Sequence, residues 1–400
     1  MILRNRIKII SNQFLSVIAT LSVGKLIARF IDPSVFGNYS IQLAIFTFFF
    51  SVFISPVLQF IKTNNNSLNK KIGVIHYTPI LFSLIFFSLI LFLIINNIFS
   101  SKIKLLDVIY VFFFLLFSIL VKYFVDLEST SGKVVRASFL NCLNKILILL
   151  AFIFVLSFFD VISSTEIWLF NSLGSFILLL IIFNSYNYKL YGNFKISIKN
   201  ILFKIKDYSF PLVIMSIWSW VNSYFDRFIL DSVFDKYQVG LYAASYSVGS
   251  KLFPMIIPFF LLLLTPIVYS NKKVSLKIES IKKYSINYLI IGITITPLVF
   301  IFSDLIGFLL LSSNYKESFY IIPYVSLAYY FLTFSYIFES LFYAESRTKN
   351  ILLTNFVSAV FNIILNLILV PHFGLIGAAI STVISSFLKL VHTYLLFRKI

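Results

Sequence analysis

Seven basic side chains lie within long apolar stretches of this sequence, where an ionised group is unusual. They are Lys25, Arg29, Lys122, Lys145, Arg227, Lys251 and Lys389. A charge at the centre of a membrane helix costs roughly 2.5–3.5 kcal/mol on insertion scales, so such residues usually pair or face a water-filled cavity. The acidic residues near these stretches mostly sit at their ends, which leaves cations in the interior. Because a cleft lined by cations concentrates anions, the pattern favours an anionic ligand.

Two of these positions carry the sharpest predictions. Lys25 and Arg29 are four residues apart and share one helical face, which presents two cations one turn apart and suits a diphosphate. The alternative is that Arg29 reaches the outer headgroups and Lys25 follows it. Lys251 lies deep in its stretch and is followed by Pro254 and Pro258, which predict a helix break beside the charge and a wet cavity around it.

Lys145 and Arg227 are weaker candidates for ligand binding. Lys145 shares a helical face with Asn141, which fits either a binding stripe or hydrogen bonding between helices. Arg227 is predicted to pair with Asp231, four residues further on, and Asp226 then points elsewhere and is a candidate for gating or coupling.

The remaining interior charges are predicted to be structural. Lys122 and Asp126 are four apart and should form a local ion pair. Lys389 is expected to extend to the inner headgroups, and Glu339 to lie near the same interface.

The elements that position these charges are membrane helices. Hydrophobic residues make up 60% of the 400 residues and charged residues 12%, with a mean hydropathy of +0.96. A soluble domain has about 45–50% apolar and about 25% charged residues, so the composition indicates an integral membrane protein. The single cysteine, Cys142, excludes an internal disulfide, the three histidines form no cluster, and no metal or cofactor is predicted.

Twelve stretches are long enough to cross a bilayer, which takes about 20 apolar residues. They are 9–31, 38–61, 77–98, 105–126, 137–159, 166–186, 208–230, 241–269, 284–311, 320–344, 350–370 and 375–397. We predict an all-α polytopic protein with an N-terminal lobe of six helices at 1–186 and a C-terminal lobe of six at 208–400. A basic cytoplasmic linker at 187–207 joins the lobes.

The distribution of Lys and Arg predicts the orientation. With the N-terminus in the cytoplasm, 22 of the 33 basic residues fall in inner segments and four in outer links. This positive-inside bias places both termini in the cytoplasm. It also explains the net charge of +18 by topology and lipid contact rather than by nucleic acid. The basic start and first apolar run could mimic a cleaved signal, but we favour an uncleaved first helix.

A short internal repeat supports the division into two lobes. Residues 29–39 carry Arg-Phe-Ile and then Phe-Gly-Asn-Tyr, and residues 227–242 carry Arg-Phe-Ile and then Val-Gly-Leu-Tyr. Both copies cross an outer link, so the halves would share one orientation as a parallel repeat. The alternative is that Gly and Tyr are common at such turns.

The segment 361–386 carries a signature of Asn, Pro and small residues. It reads Asn362-x3-Asn366-x4-Pro371-x2-Gly374-x2-Gly377-Ala-Ala and continues to Ser381-Thr382. Together with 24–39, 226–229 and 239–244, it resembles the polysaccharide biosynthesis transporters. These form the O-antigen flippase-like branch of the multidrug/oligosaccharidyl-lipid/polysaccharide exporter superfamily.

The resemblance implies a fold, a cargo and a site. It implies two six-helix lobes in the bacterial inner membrane that move a polyprenyl-diphosphate-linked oligosaccharide to the outer leaflet, for O-antigen, lipopolysaccharide or another surface polysaccharide. It places Lys25, Arg29 and Lys251 at the diphosphate by position, and Lys145, Arg227 and Lys389 more loosely. The implied partners are the lipid-linked glycan, membrane lipids and other membrane proteins of polysaccharide assembly.

Other functions remain open at this level. A cation-coupled multidrug exporter of the same superfamily would favour central carboxylates, whereas the first span carries Lys25 and Arg29. A polytopic glycan polymerase or glycosyltransferase would need a longer outer loop for its chemistry. A lipid scramblase or an assembly scaffold is also compatible. The sequence contains no nucleophile–base constellation or phosphate loop, so an enzyme is not predicted.

Overall fold

The computed structural model describes residues 2–68, 78–99, 105–159, 162–185, 198–270 and 273–400, and the elements assigned there are helices. The first half contains α1 (Ile2–Phe30), α2 (Pro33–Phe49), a π-helical turn (Phe50–Ile54), α3 (Ser55–Leu68), α4 (Thr78–Phe99), α5 (Leu105–Thr130), α6 (Val134–Leu156) and α7 (Ser164–Ser185). The second half contains α8 (Ile198–Val233), α9 (Lys236–Ser270), α10 (Val274–Ile301), α11 (Ser303–Leu310), a 3₁₀ turn (Ser313–Ser318), α12 (Ile321–Ala344) and α13 (Thr348–Arg398).

These helices are of the kind that crosses a membrane. Within the described residues, nine helices are long and apolar enough to span a bilayer. In the part of the chain that the structure describes, the predicted spans coincide with helices, except that 284–311 is divided between α10 and α11 at Phe302. A bilayer offers no hydrogen-bond partners, so a spanning segment must satisfy its backbone internally, as a helix does. The predicted fold class, an all-α polytopic membrane protein, is confirmed.

The chain forms two compact units. The N-terminal unit contains residues 1–31 and 41–217, and the C-terminal unit contains residues 32–40 and 218–400. Of the predicted linker, residues 187–197 lie outside the described residues, and residues 198–207 begin α8. The predicted domain boundaries therefore remain a prediction.

The two copies of the repeat contact each other within the C-terminal unit. A Cβ atom on Gly37 would lie 1.8 Å from the carbonyl oxygen of Lys236, and one on Gly240 would lie 1.7 Å from that of Pro33. Each glycine thus meets the first residue of the other helix, α9 or α2. Only a residue without a side chain permits this close approach, so the repeated glycines have a packing role.

Helix α9 contradicts the predicted break beside Lys251. It runs from Lys236 to Ser270 without interruption, through Pro254, Pro258 and a third proline, Pro266. A proline removes one backbone donor, and in membrane helices neighbouring groups compensate for the carbonyl that it frees. Lys251 is half-buried on this continuous helix.

Helix α13 contains the last two predicted spans. Its 51 residues would extend about 75 Å as one helix, far more than the roughly 30 Å hydrocarbon core. Gly374 divides it, with φ 57° and ψ −133°, whereas Pro371 continues the helix. The predicted turn at 371–374 is therefore confined to one glycine. After it the halves pack closely, and a Cβ on Gly377 would lie 2.4 Å from the carbonyl oxygen of Leu369.

The backbone at Gly374 gives a test of this division. We expect Gly374→Ala to lower the free energy of unfolding by about 1–3 kcal/mol, because an L side chain is strained at this positive φ. Gly24→Ala is the matched control, since a Cβ there meets nothing within 4 Å and the site is helical. The measurement is the unfolding midpoint of both variants in detergent. Equal midpoints would contradict the role of Gly374.

Candidate functional site

The predicted cations of the N-terminal unit lie on two neighbouring helices. Helix α1 carries Lys25 and Arg29 and packs along α6, which carries Lys145. All three side chains are exposed, and Asn141 is exposed on the same face as Lys145, as predicted. Exposure is compatible both with ligand binding and with headgroup contact.

These three cations lie at successive positions along α1 and α6. Asn12 on α1 donates a hydrogen bond to Ser138 on α6 at 3.0 Å, close to the start of both helices, so the two run in parallel. At 1.5 Å per residue, Lys145 lies about 10 Å beyond that bond, Lys25 about 20 Å and Arg29 about 25 Å. The unit therefore presents a series of positive charges along its helices.

The C-terminal unit buries an acidic and a basic residue next to each other, Asp226 and Arg227. Asp226 on α8 is 1% exposed, and its carboxylate accepts hydrogen bonds from the Tyr242 hydroxyl at 2.5 Å and from the backbone N–H of Arg227 at 2.8 Å. Tyr242 on α9 also hydrogen-bonds with Thr382 on α13. A buried carboxylate is costly without such partners, so three helices are fixed around it.

Arg227 lies in an aromatic setting next to this carboxylate. Its guanidinium carbon lies 4.5 Å from the ring centre of Tyr224 and 5.2 Å from that of Tyr246. Cation–π contacts of this kind contribute up to about 2 kcal/mol when desolvated. The side chain is buried, and its Nε and Nη1 atoms have no hydrogen-bond partner.

The predicted pair of Arg227 with Asp231 is wrong. The Asp231 carboxylate binds the ammonium of Lys236 at 2.5 Å, near the end of α8. Arg227 turns inward instead, where Asp226 interacts with its charge. The rings of Tyr224 on α8 and Tyr246 on α9 favour this inward position of the guanidinium.

A polar tract continues along α13 from this cluster. Asn366 donates to the backbone oxygen of Asn362 at 2.9 Å, and Asn362 donates to the Ser385 hydroxyl at 3.2 Å. The Ser358 hydroxyl lies 3.1 Å from both the Asn222 side-chain oxygen and the Ser385 backbone oxygen. The shared face predicted for the two asparagines is thus the face that packs on the second half of α13.

Lys389 and Glu339 form a buried ion pair. Their charged atoms are 3.1 Å apart, each residue is 3% exposed, and the ammonium lies 5.2 Å from the Tyr336 ring centre. The predicted extension of Lys389 to the headgroups is wrong, because its ammonium binds Glu339 inside the protein. The position of Glu339 near the inner interface stays a prediction. Because Glu339 on α12 lies within reach of Lys389 on α13, each charge is compensated inside the protein and neither extends to water.

Lys122 also differs from its prediction. Its ammonium donates to the Ser55 hydroxyl at 2.9 Å and lies 5.3 Å from the ring centre of Phe50. Phe50 begins the π-helical turn, and Ser55 directly follows it. Asp126, its predicted partner, binds Lys62 at 2.9 Å. Lys122 therefore donates to a hydroxyl from a distant segment of the chain rather than to Asp126 on its own helix.

The fold is one that solved membrane transporters share. Among solved structures, this chain is similar to an inward-facing multidrug resistance MATE family transporter of the MOP superfamily, with a TM-score of 0.68 and 14% identity over 98% of this chain and 97% of the other. An outward-facing transporter of the same description matches with a TM-score of 0.64 and 12% identity, over 100% and 94% of the two chains.

A particular flippase shares this fold. The lipid II flippase MurJ, in an inward closed conformation, matches with a TM-score of 0.72 and 17% identity, over 99% of this chain and 87% of the other. No family model matches the sequence, and no curated protein matches it. At these identities the similarity establishes the fold.

Sequence reasoning missed the tyrosines of the buried cluster. Tyr242 and Tyr246 are buried on α9, and the Tyr246 hydroxyl lies 3.1 Å from that of Tyr329 on α12. Because tyrosine is common at membrane interfaces, these two were expected there and not in a buried cluster. The available signal was their spacing of four residues on one helical face, beginning at the tyrosine of the repeat.

The buried pair of Glu339 and Lys389 generates a stability prediction. We expect Glu339→Leu to destabilise the protein by about 3–5 kcal/mol, because it leaves the Lys389 charge buried without its partner. The double variant Glu339→Leu/Lys389→Met should recover most of that loss. Unfolding midpoints in detergent test both, with Lys282→Met on exposed α10 surface as a control. A double variant no more stable than Glu339→Leu would contradict the prediction.

Proposed function

We propose that this protein is a flippase that moves a polyprenyl-diphosphate-linked oligosaccharide from the cytoplasmic to the outer leaflet of a bacterial inner membrane. The glycan serves surface polysaccharide synthesis, of which O-antigen is one example. The observation that supports this cargo best is the series of exposed cations Lys145, Lys25 and Arg29 along the parallel helices α6 and α1. The fold shared with a lipid II flippase is compatible with it.

The physical task explains why cations are needed. A diphosphate and a sugar chain cannot enter hydrocarbon without losing their hydration. Basic side chains at successive depths would replace that hydration while the prenyl tail stays in lipid. Alternating access, in which two lobes rock around the site, would then release the headgroup on the other side. Lys251, half-buried on α9, is the proposed contribution of the C-terminal unit.

The orientation in this proposal comes from the positive-inside distribution. Both termini would be cytoplasmic, so the start of α1 faces the cytoplasm and Arg29 lies toward the outer side. The cargo would therefore meet Lys145 first, then Lys25 and then Arg29.

A multidrug exporter is the second candidate, and one observation favours it. Asp226 is a fully enclosed carboxylate within a polar tract of hydroxyl and amide groups, a setting that suits binding and release of a proton or a monovalent cation. We propose that Asp226 couples such a cation to transport in either case. The cargo then distinguishes the two functions.

The leaflet distribution of the lipid-linked glycan tests the function directly. In host membranes depleted of this protein, we expect the polyprenyl-diphosphate glycan to accumulate on the cytoplasmic face. An impermeant glycan-reactive probe on oriented vesicles measures this, and restored protein should reverse it. An unchanged distribution would exclude the flippase, and export of cationic drugs would be tested next.

Removing single cations tests the binding series. We expect Lys25→Gln and Lys251→Gln each to slow transport by about 10- to 100-fold, because a hydrogen bond to a charged group contributes about 1.5–3 kcal/mol. Lys25→Arg keeps the charge and should retain most activity. Lys282→Gln on exposed α10 surface is the matched control for lost charge. Wild-type rates in both Gln variants, at equal membrane content, would contradict the proposed role.

The coupling role of Asp226 predicts a different change. We expect transport by Asp226→Asn to lose its response to an imposed sodium or proton gradient, because the amide cannot bind and release a cation as a carboxylate does. Asp231→Asn on the same helix, where the carboxylate binds Lys236, should keep the response. Rates in vesicles with and without each gradient measure this. A retained response in Asp226→Asn would place coupling elsewhere.

A further inference from the structure

A basic cavity lies at the start of α1, away from the cations considered above. It has a volume of about 780 Å³ and belongs to the N-terminal unit, between the first turns of α1 and the turn that joins α5 to α6. Lys8 lines it from α1, and Lys133 and Arg136 line it from the start of α6. Lys25 lies 17 residues beyond Lys8 on the same helix, about 25 Å away. The nearest cation of the proposed cargo series is Lys145, nine residues beyond Arg136 on α6 and about 13 Å away. None of the three cations of that series lines the cavity.

The charge of this cavity is positive. Glu128 is the acidic residue beside it, and its Oε2 lies 4.0 Å from the Lys133 ammonium and 4.0 Å from Nε of Arg136. That oxygen accepts no hydrogen bond, and the carboxylate offsets one of the three positive charges. Three cations against one carboxylate leave a net charge of two, which suits a phosphate.

The start of α6 adds backbone donors. The first N–H groups of a helix have no partner within it, and its dipole favours a negative group there. Lys133, which precedes α6, makes no side-chain cap, and its carbonyl oxygen accepts the N–H groups of Arg136 and Ala137. The N–H groups of Val134 and Val135 are therefore the donors that this helix start offers. Cations and a helix start together form the usual surroundings of a bound phosphate.

Apolar surface adjoins the charged part. Ile7 and Phe139 line the cavity and are exposed, as is Val134. Phe14 and Ile18 continue this apolar surface along α1. A free phosphate would not bury this apolar surface, whereas the acyl chains of a phospholipid would. Basic cavities between membrane helices at the cytoplasmic level bind anionic headgroups in this way.

We propose that this cavity binds the phosphate headgroup of an anionic bilayer phospholipid, with the acyl chains along the exposed surface of α1 and α6. The lipid connects the start of α1 to the α5–α6 turn, next to the hydrogen bond from Asn12 to Ser138. This site does not depend on which cargo the protein moves.

Binding of defined lipids to the detergent-purified full chain tests the proposal. Phosphatidylglycerol should raise the unfolding midpoint, whereas phosphatidylcholine and inorganic phosphate should not. Lys133→Gln/Arg136→Gln should weaken phosphatidylglycerol binding by about tenfold or more. Lys282→Gln/Lys283→Gln removes two exposed cations from α10 and should leave binding unchanged. A monodisperse elution profile checks the fold of each variant.

A steric variant separates this site from general attraction to charge. Ser11→Trp fills the cavity without changing its charge and should also abolish the stabilisation. Four results would overturn the proposal: equal stabilisation by phosphatidylcholine, equal stabilisation by inorganic phosphate, equal weakening in the α10 control, or full binding by Ser11→Trp. Preferential binding of a polyprenyl diphosphate at the same residues would also overturn it, because the site would then belong to the cargo.

Discussion

A charge inside a membrane protein must find its compensation within the protein, and the structure follows this constraint throughout. Asp226 is held by Tyr242 and stands beside Arg227, and Lys389 is held by Glu339. Each pair connects or fixes different helices of the C-terminal unit. Without these partners the helices would carry uncompensated charges in a low-dielectric interior, at a cost of several kcal/mol each.

The two units meet the constraint in different ways, and the internal repeat shows why. Arg29 and Arg227 occupy the same position in the two copies, yet Arg29 is exposed and Arg227 is buried. Asp226 precedes Arg227, whereas Ala28 precedes Arg29. An arginine next to a carboxylate and two tyrosine rings can be buried, while one next to an alanine stays at the surface. The same repeated pattern thus supplies an internal cluster in one unit and an accessible cation in the other.

This asymmetry suggests a division of labour. The N-terminal unit keeps its cations accessible along α1 and α6, as a surface for an anionic headgroup would require. The C-terminal unit encloses Asp226 with the Tyr242 hydroxyl and the backbone N–H of Arg227, as a cation-coupling element would require. A shared fold with both a flippase and multidrug transporters fits such a scheme, because the cargo is selected by side chains presented on the fold rather than by the fold itself.

The sequence by itself determined the membrane class, the positions of the spans, the repeat and the shared face of Asn362 and Asn366. Hydropathy and helical period are local properties of the sequence. In a bilayer, a long apolar segment forms a helix because its backbone groups must bond within the segment. Only the tertiary structure decided which charges meet. Lys122 reaches Ser55, 67 residues away, rather than its neighbour on the same helix. The spacing of residues along a helix determines which of them share a face. The free energy of burying a charge there depends on which partner groups other helices place against that face. The continuity of α9 through its prolines depends in the same way on compensation by surrounding groups rather than on the local sequence.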